Sequence, residues 1–180
     1  LNPRRIGFYR LLKKHGASIK FKNIKYLNNE VVGNIIVKSS KIKPIKANSS
    51  YYASTTDEYP ILFVIAALIS GKSYFKGIKD LANKESNRIL EMQKILSQVG
   101  IKCKAEKDKM TINGTTKLQN KYSLIRVPNL GDHRLCMSAM ILSLTTGIKC
   151  KINNFETVYS SSPSFLKIIK SLGGKFEIKK

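Results

Sequence analysis

Two stretches of this chain are apolar all the way round, and they constrain the fold more than any other feature. The first runs from Ile61 to Ser70 after Asp57-Glu58-Tyr59-Pro60 and stops at Gly71. The second runs from Leu135 to Thr146 after Asp132-His133-Arg134 and stops at Gly147. A helix without a polar face must be covered on every side, so the rest of the 180 residues has to be wrapped around these two. Each opens on an aspartate of the kind that caps helix N-termini and closes on a glycine of the kind that ends helices. Neither run reaches the roughly 20 apolar residues of a bilayer-spanning helix, and no membrane span is expected.

The same succession follows both runs. A strand-like segment comes first (Ser73 to Ile78; Ile148 to Phe155), then an amphipathic helix (Asn87 to Val99; Pro163 to Leu172). Ile89, Leu90, Met92, Ile95, Leu96 and Val99 make the apolar stripe of one, and Phe165, Leu166, Ile168, Ile169 and Leu172 that of the other. Each stripe ends at glycine, Gly100 or Gly173-Gly174, and a short strand is expected after it. The N-terminal residues repeat only this ending: Phe8 to His15, Gly16, then Ile19-Lys20-Phe21-Lys22. The repeated unit is buried helix, strand, outer helix, strand. Residues 1–50 read as the tail of a truncated unit, 51–118 as a second unit and 119–180 as a third. Asn28-Asn29 and Asn113-Gly114 are turn signals, and Tyr122 to Val127 reads as a strand ended by Pro128. The chain starts without methionine and directly in a helical pattern, so it is expected to begin inside a longer protein, with no signal peptide.

Lysine plus arginine number 33 against 11 acidic residues, a formal charge of +22. Such a surplus invites a nucleic-acid reading. Only six of those cations are arginine, however, and many lysines alternate with apolar residues, as in Ile101-Lys102-Cys103-Lys104-Ala105 and Ile148-Lys149-Cys150-Lys151-Ile152. That alternation describes strands with one solvated face, so the lysines read first as a solvated surface. An anion-attracting field remains the second reading, and it would serve small phosphorylated substrates as well as a polyanion. Three cysteines, Cys103, Cys136 and Cys150, lack metal-ligand spacing. They read as reduced, packed thiols of a cytoplasmic protein. No metal site is expected, and neither a phosphate-binding glycine loop nor a nucleophile elbow occurs.

Polar groups at the mouths of the buried helices are the functional candidates. Arg134 falls in the first turn after Asp132, and Arg88 at the start of the first outer helix, after Lys84-Glu85-Ser86-Asn87. A cation there opposes the helix dipole. Two explanations stand: an anion shared with the backbone N–H groups, or an ion pair with a neighbouring carboxylate. Asp57 reads either as a helix cap or as a general base, Glu85 as a first-turn carboxylate or an acid, and His133 as a cap, a supporting group or a proton carrier.

Asn-Pro-Arg-Arg-x-Gly (2–7), Asp-Glu-Tyr-Pro-Ile-Leu (57–62), Lys-Glu-Ser-Asn-Arg (84–88), Asp-His-Arg (132–134) and Ser-Pro-Ser-Phe (162–165) occur in this order. With them the whole chain resembles the C-terminal part of the 5-enolpyruvylshikimate-3-phosphate synthase family. Enolpyruvyl transferases that act on a nucleotide sugar share the architecture, but not this motif pair of Lys-Glu-Ser-x-Arg with Asp-His-Arg. The resemblance implies an α/β fold of repeated βαβαββ units, with helices inside and mixed sheets outside, an inside-out α/β barrel. It implies transfer of the enolpyruvyl group of phosphoenolpyruvate to the 5-hydroxyl of shikimate-3-phosphate with release of phosphate, and no metal or organic cofactor. By the same resemblance Asp57 contacts the shikimate hydroxyl and accepts its proton. Lys84 binds shikimate-3-phosphate, Glu85 moves the proton on the methylene carbon, and Arg88 and Arg134 hold phosphoenolpyruvate. It further implies an N-terminal domain outside this chain, without which the chain is expected to be inactive, and a monomeric full-length enzyme.

Three positions depart from the family pattern. Ala82 stands where an arginine is usual, Asn87 where an aspartate is usual, and Ser160 where some members carry a lysine. A basic module that keeps the fold and binds a polyanion without catalysis is the reading opposed to the enzyme.

Overall fold

The computed structural model describes residues 1–118 and 122–178. Helices α1 (Gly7–Lys14), α2 (Tyr59–Ala67), α3 (Arg88–Ser97), α4 (His133–Thr146), α5 (Thr157–Ser161) and α6 (Phe165–Ser171) alternate with strands. The strands are β1 (Ser18–Leu27), β2 (Glu30–Lys38), β3 (Lys46–Ala47), β4 (Gly71–Lys76), β5 (Lys102–Glu106), β6 (Lys109–Gly114), β7 (Leu124–Val127) and β8 (Lys149–Ile152). In chain order β3, α2, β4, α3, β5 and β6 form one complete βαβαββ succession. The elements β7, α4, β8 and α6 repeat its first four, and α1, β1 and β2 repeat its last three. The sheet of the complete succession has the order β3-β4-β6-β5, parallel between β3 and β4 and antiparallel elsewhere. It is a mixed sheet, as expected, and β3 joins it from upstream of residue 51. The other two sheets are the antiparallel hairpin β1–β2 and the parallel pair β7–β8. The expected unit boundary at residue 119 lies outside the described residues.

The two apolar runs are the inner helices α2 and α4, which pack on each other and on α3. Pro60 sits in the first turn of α2, where its missing N–H costs no hydrogen bond. Leu62, Phe63, Ala66 and Ala67 of α2 and Leu135, Ala139 and Leu142 of α4 are all buried. Between α2 and its sheet, the rings of Tyr59, Phe63 and Phe75 meet at centroid distances of 5.9, 6.1 and 4.9 Å. Tyr52 stacks on Tyr59 at 5.8 Å. Strands β5 and β8 turn Lys102, Lys104, Lys149 and Lys151 to solvent, so the alternating lysines are a solvated face.

The helix ends differ in part from the sequence reading. Asp132 caps α4 through its side chain, and Gly147 ends α4 in the left-handed conformation at φ 72°. Asp57 does not cap α2: it lies a turn earlier, in the 3-10 turn Thr56–Glu58, and Glu58 at the cap position makes no side-chain cap bond. Gly71 does not end α2 either. That helix stops at Ala67, whose carbonyl accepts the N–H of Thr115 at 2.9 Å, so the sheet supplies the donor that a glycine cap would otherwise bring. Asn113-Gly114 is no turn but the end of β6, opposite Lys72 and Gly71. The β5–β6 turn is Lys107-Asp108, where the Asp108 carboxylate and carbonyl accept the N–H groups of Lys79 and Gly77. At the other hairpin Asn28 and Asn29 take φ 48° and 61°, the turn that matches strand twist. Residues 175–178 pair into no sheet among the described residues; Phe176 is 40% and Ile178 62% exposed.

Gly114 is glycine because the end of β6 runs against the end of α2. A methyl group there would collide with the carbonyl oxygens of Ala66 and Ile69, which are backbone and cannot swing away. Gly114→Ala is expected to lower stability by about 1–3 kcal/mol, the usual cost of overpacking. A urea unfolding curve of the variant beside the parent checks this.

Candidate active site

Four helix N-termini meet at one end of the inner pair, and side chains from the approach to each of them interlock. The ends belong to α1, α2, α3 and α4, and each contributes partial positive charge from its unpaired N–H groups. Three of the six arginines stand here, Arg5 ahead of α1, Arg88 on α3 and Arg134 on α4. Opposite them are Asp57, Glu58, Glu85 and Asp132.

Arg88 and Asp132 form the buried half. Arg88 is 1% exposed and Asp132 fully buried, and Nε of the guanidinium lies 2.9 Å from Oδ2 of the carboxylate. Nη2 reaches Oδ1 at 3.4 Å and turns its other side to Glu85 Oε2 at 2.6 Å. The Ser86 hydroxyl donates to Oδ2 at 2.9 Å, and Oδ1 accepts the N–H groups of Arg134 and Leu135. One carboxylate therefore caps α4 and holds the first residue of α3. Burial pushes the Asp132 carboxyl up, but the hydrogen bond and charge of Arg88, with the Ser86 hydroxyl, outweigh it and the net shift is downward. Nη1 of Arg88 is buried and has no partner among the described residues. Asn87 caps α3 by accepting the Leu90 N–H at 3.1 Å.

Asp57 is the centre of the exposed half. Arg5 Nη2 lies 3.0 Å and Arg134 Nη2 3.3 Å from the same oxygen, Oδ2. Arg134 Nη1 also donates to the Asp57 carbonyl at 3.2 Å. Partial burial raises the Asp57 carboxyl, yet the Arg5 hydrogen bond and the charges of Arg134, Arg5 and Arg88 prevail and hold it low. Its neighbour Glu58 goes the other way: burial raises it, and Arg5, with Nη2 3.8 Å from Oε1, only partly offsets that. The hydroxyls of Tyr59 and Thr55, two residues to either side of Asp57 in sequence, are buried without partners among the described residues.

Of the sequence candidates, Asp57, Glu85, Arg88 and Arg134 are thus joined by direct contacts or through Asp132. Both arginines pair with carboxylates, as one of the two sequence explanations required. Lys84 is exposed, with no hydrogen bond or ion pair among the described residues. His133 opens α4 half-buried, and Ser160 lies exposed on α5 with its hydroxyl on the Thr157 carbonyl. The sequence reading gave Arg5, Glu58 and Ser86 no role. Arginine usage was the available signal, because a chain that makes its general charge from lysine keeps arginine where a planar fork is needed. A cleft of about 620 Å³ beside Leu68, Thr146 and Gly147 lies at the opposite ends of α2 and α4. Among the described residues no group of three His, Cys, Asp or Glu could hold a metal ion, and no helix is long and apolar enough to cross a membrane.

The buried pair sets a pH dependence. A carboxyl held below its unfolded value of about 3.9 stabilises the fold above that pH, and the contribution is lost as pH falls through the folded value. Asp132→Asn leaves Arg88 buried without a counter-charge, at an expected cost of about 3–5 kcal/mol near neutrality. The difference from the parent should shrink as pH falls below about 3.9, where the unfolded parent begins to take up the proton, and close once pH passes the lower folded value. Denaturant unfolding at neutral and acid pH measures both quantities.

Residues 1–169 match the family model described as EPSP synthase (3-phosphoshikimate 1-carboxyvinyltransferase). The 3-phosphoshikimate 1-carboxyvinyltransferase of Zymomonas mobilis is 34% identical over 180 residues, covering 99% of this chain and 40% of that protein. That of Petrotoga mobilis is 36% identical over 172 residues, covering 96% and 39%. The chain thus spans about two-fifths of the length of these curated relatives. A solved EPSP synthase from Acinetobacter baumannii superposes with a TM-score of 0.86 at 30% identity, over 100% of this chain and 41% of that one. The enolpyruvyl transferase NikO of Streptomyces tendae, at 13% identity and a TM-score of 0.59 over 94% and 35% of the two chains, shares the fold. Motifs, fold and match agree: the chain belongs to the EPSP synthase (3-phosphoshikimate 1-carboxyvinyltransferase) family.

Proposed function

We propose that this chain is the C-terminal catalytic part of a cytoplasmic 3-phosphoshikimate 1-carboxyvinyltransferase, which completes its site with an N-terminal domain. The observation that carries the reading is the convergence of Arg5, Arg88 and Arg134 with Asp57 and Glu85 at the meeting of four helix N-termini. Phosphoenolpyruvate and shikimate-3-phosphate are both multiply anionic, and cations with helix ends of positive sign offset their repulsion. The unbridged cysteines suit a reducing compartment.

The reaction is an addition followed by an elimination. The 5-hydroxyl oxygen bonds to the central carbon of phosphoenolpyruvate and gives its proton to Asp57, held as a carboxylate by its arginines. The methylene carbon takes a proton from Glu85. In the second half the bond to phosphate breaks, the methyl carbon returns a proton to Glu85, and phosphate leaves with the proton taken by Asp57. Glu85 is free to do this because it is exposed and bound on one oxygen only, to Arg88. Arg88 and Arg134 hold the phosphoenolpyruvate anion, while exposed Lys84 takes the phosphate of the second substrate. No metal or organic cofactor enters these steps.

Glu85→Gln in the complete protein is expected to lower kcat by roughly 10²–10⁴-fold, the range for a general acid–base group, with unfolding little changed. Phosphate release measured with both substrates reads this. Turnover that survives the substitution, together with binding of random-sequence DNA that weakens steeply with salt, would instead support the polyanion-binding module. The 180-residue chain alone should release no phosphate above background; sustained turnover by it would remove the requirement for a second domain.

A further inference from the structure

The motif Asn2-Pro3-Arg4-Arg5-x-Gly7 touches the chemistry just described only through the contact of Arg5 with Asp57, and the residues around Arg5 serve to place it. The Asn2 side chain accepts the Arg4 N–H at 2.9 Å, and the Asn2 carbonyl accepts the Arg5 N–H at 2.9 Å, which closes a turn around Pro3. Gly7, the first residue of α1, donates its N–H to the Ser54 carbonyl at 3.2 Å. A methyl group on Gly7 would strike the side chains of Ser54 and Thr55, so only glycine lets α1 approach the segment that leads into Asp57. Arg5 is thereby held between two contacts. Its guanidinium reaches Asp57 Oδ2 at 3.0 Å, and α4 presents Arg134 to the same oxygen at 3.3 Å.

We propose that Arg5 is a positioning residue for Asp57. Its guanidinium and that of Arg134 grip one carboxylate oxygen from two repeat units, which fixes the carboxylate plane and leaves Oδ1 to meet the substrate hydroxyl. The turn at Asn2–Arg5 and the close approach at Gly7 exist to deliver that guanidinium. This rests on the reading of Asp57 as proton acceptor. A carboxylate gripped by one arginine swings about its side-chain bond, and a displacement of about 1 Å at a reacting group can cost on the order of 100-fold in rate. The charged and titratable groups around Asp57 are Arg5, Glu58, Arg88, Arg134 and Tyr52. Arg5 leads those that lower the Asp57 carboxyl, so its removal moves that group upward.

The test uses the complete protein and the phosphate-release assay over a range of pH, with Arg5→Gln, Arg5→Lys and Asp57→Asn. Arg5→Gln is expected to lower kcat roughly 10- to 100-fold with KM for both substrates nearly unchanged, and to move the acid limb of the kcat profile to higher pH. Arg5→Lys should return the limb towards its parent position, because the charge is back, and recover only part of kcat, because the fork is not. Arg5 is 52% exposed, so the unfolding midpoint should stay close to the parent. A parent-like kcat and acid limb in Arg5→Gln would overturn the proposal. So would a lower kcat with an unmoved limb and a fallen unfolding midpoint, since that pattern is structural. Asp57→Asn separates the two levels: full turnover in that variant defeats the reading of Asp57, and the role of Arg5 with it. Loss of turnover there with an indifferent Arg5→Gln defeats the role of Arg5 alone.

Discussion

The pairing of Arg88 with Asp132 is the contact on which the site depends. Both groups are out of water, and a buried charge is tolerated only when its counter-charge and hydrogen bonds are in place. Asp132 caps an inner helix of one repeat, and Arg88 opens the outer helix of another. The ion pair therefore sets the distance between repeats at the end where the candidate residues gather. Glu85 is placed by the far side of the same guanidinium. A fault in this pair would displace both the residue assigned to move a proton and the arginine assigned to the substrate anion.

Asp57 closes the arrangement from the other side. Arg5 comes from the partial repeat, Asp57 from the complete one and Arg134 from the third, and they meet at a single oxygen. Repetition of a buried helix, a strand and an outer helix brings equivalent N-termini to a common end. Divergence of the residues at those ends then produces a site that no single repeat contains.

The repeat itself was legible because burial leaves a strong mark on sequence: helices apolar on every side have one place to go. The alternating lysines and the two-asparagine turn were legible for the same reason, each being a local rule with a local cause. The misreadings came from residues whose role is fixed at long range. Asn113-Gly114 has the composition of a turn, but Gly114 is small because α2 ends against it. Gly71 looks like a helix end, while Thr115, far along the chain, supplies the N–H that α2 needs. Asp57 looks like a cap and is instead held by arginines from either side of it in sequence. At the site the motifs identified the participants, and only the geometry revealed that Arg5 shares an oxygen with Arg134.

The chain contains no tryptophan, so its near-ultraviolet signal belongs to tyrosine, and Tyr59 stands at the most informative place. It is the first residue of the inner helix α2, fully buried, between the ring of Tyr52 and those of Phe63 and Phe75. Burial raises its hydroxyl well above an ordinary phenol. Its ionisation in alkali is therefore delayed for as long as the helix stays on its sheet. The molecule thus carries an intrinsic optical marker for the joint between the inner helix and the candidate site.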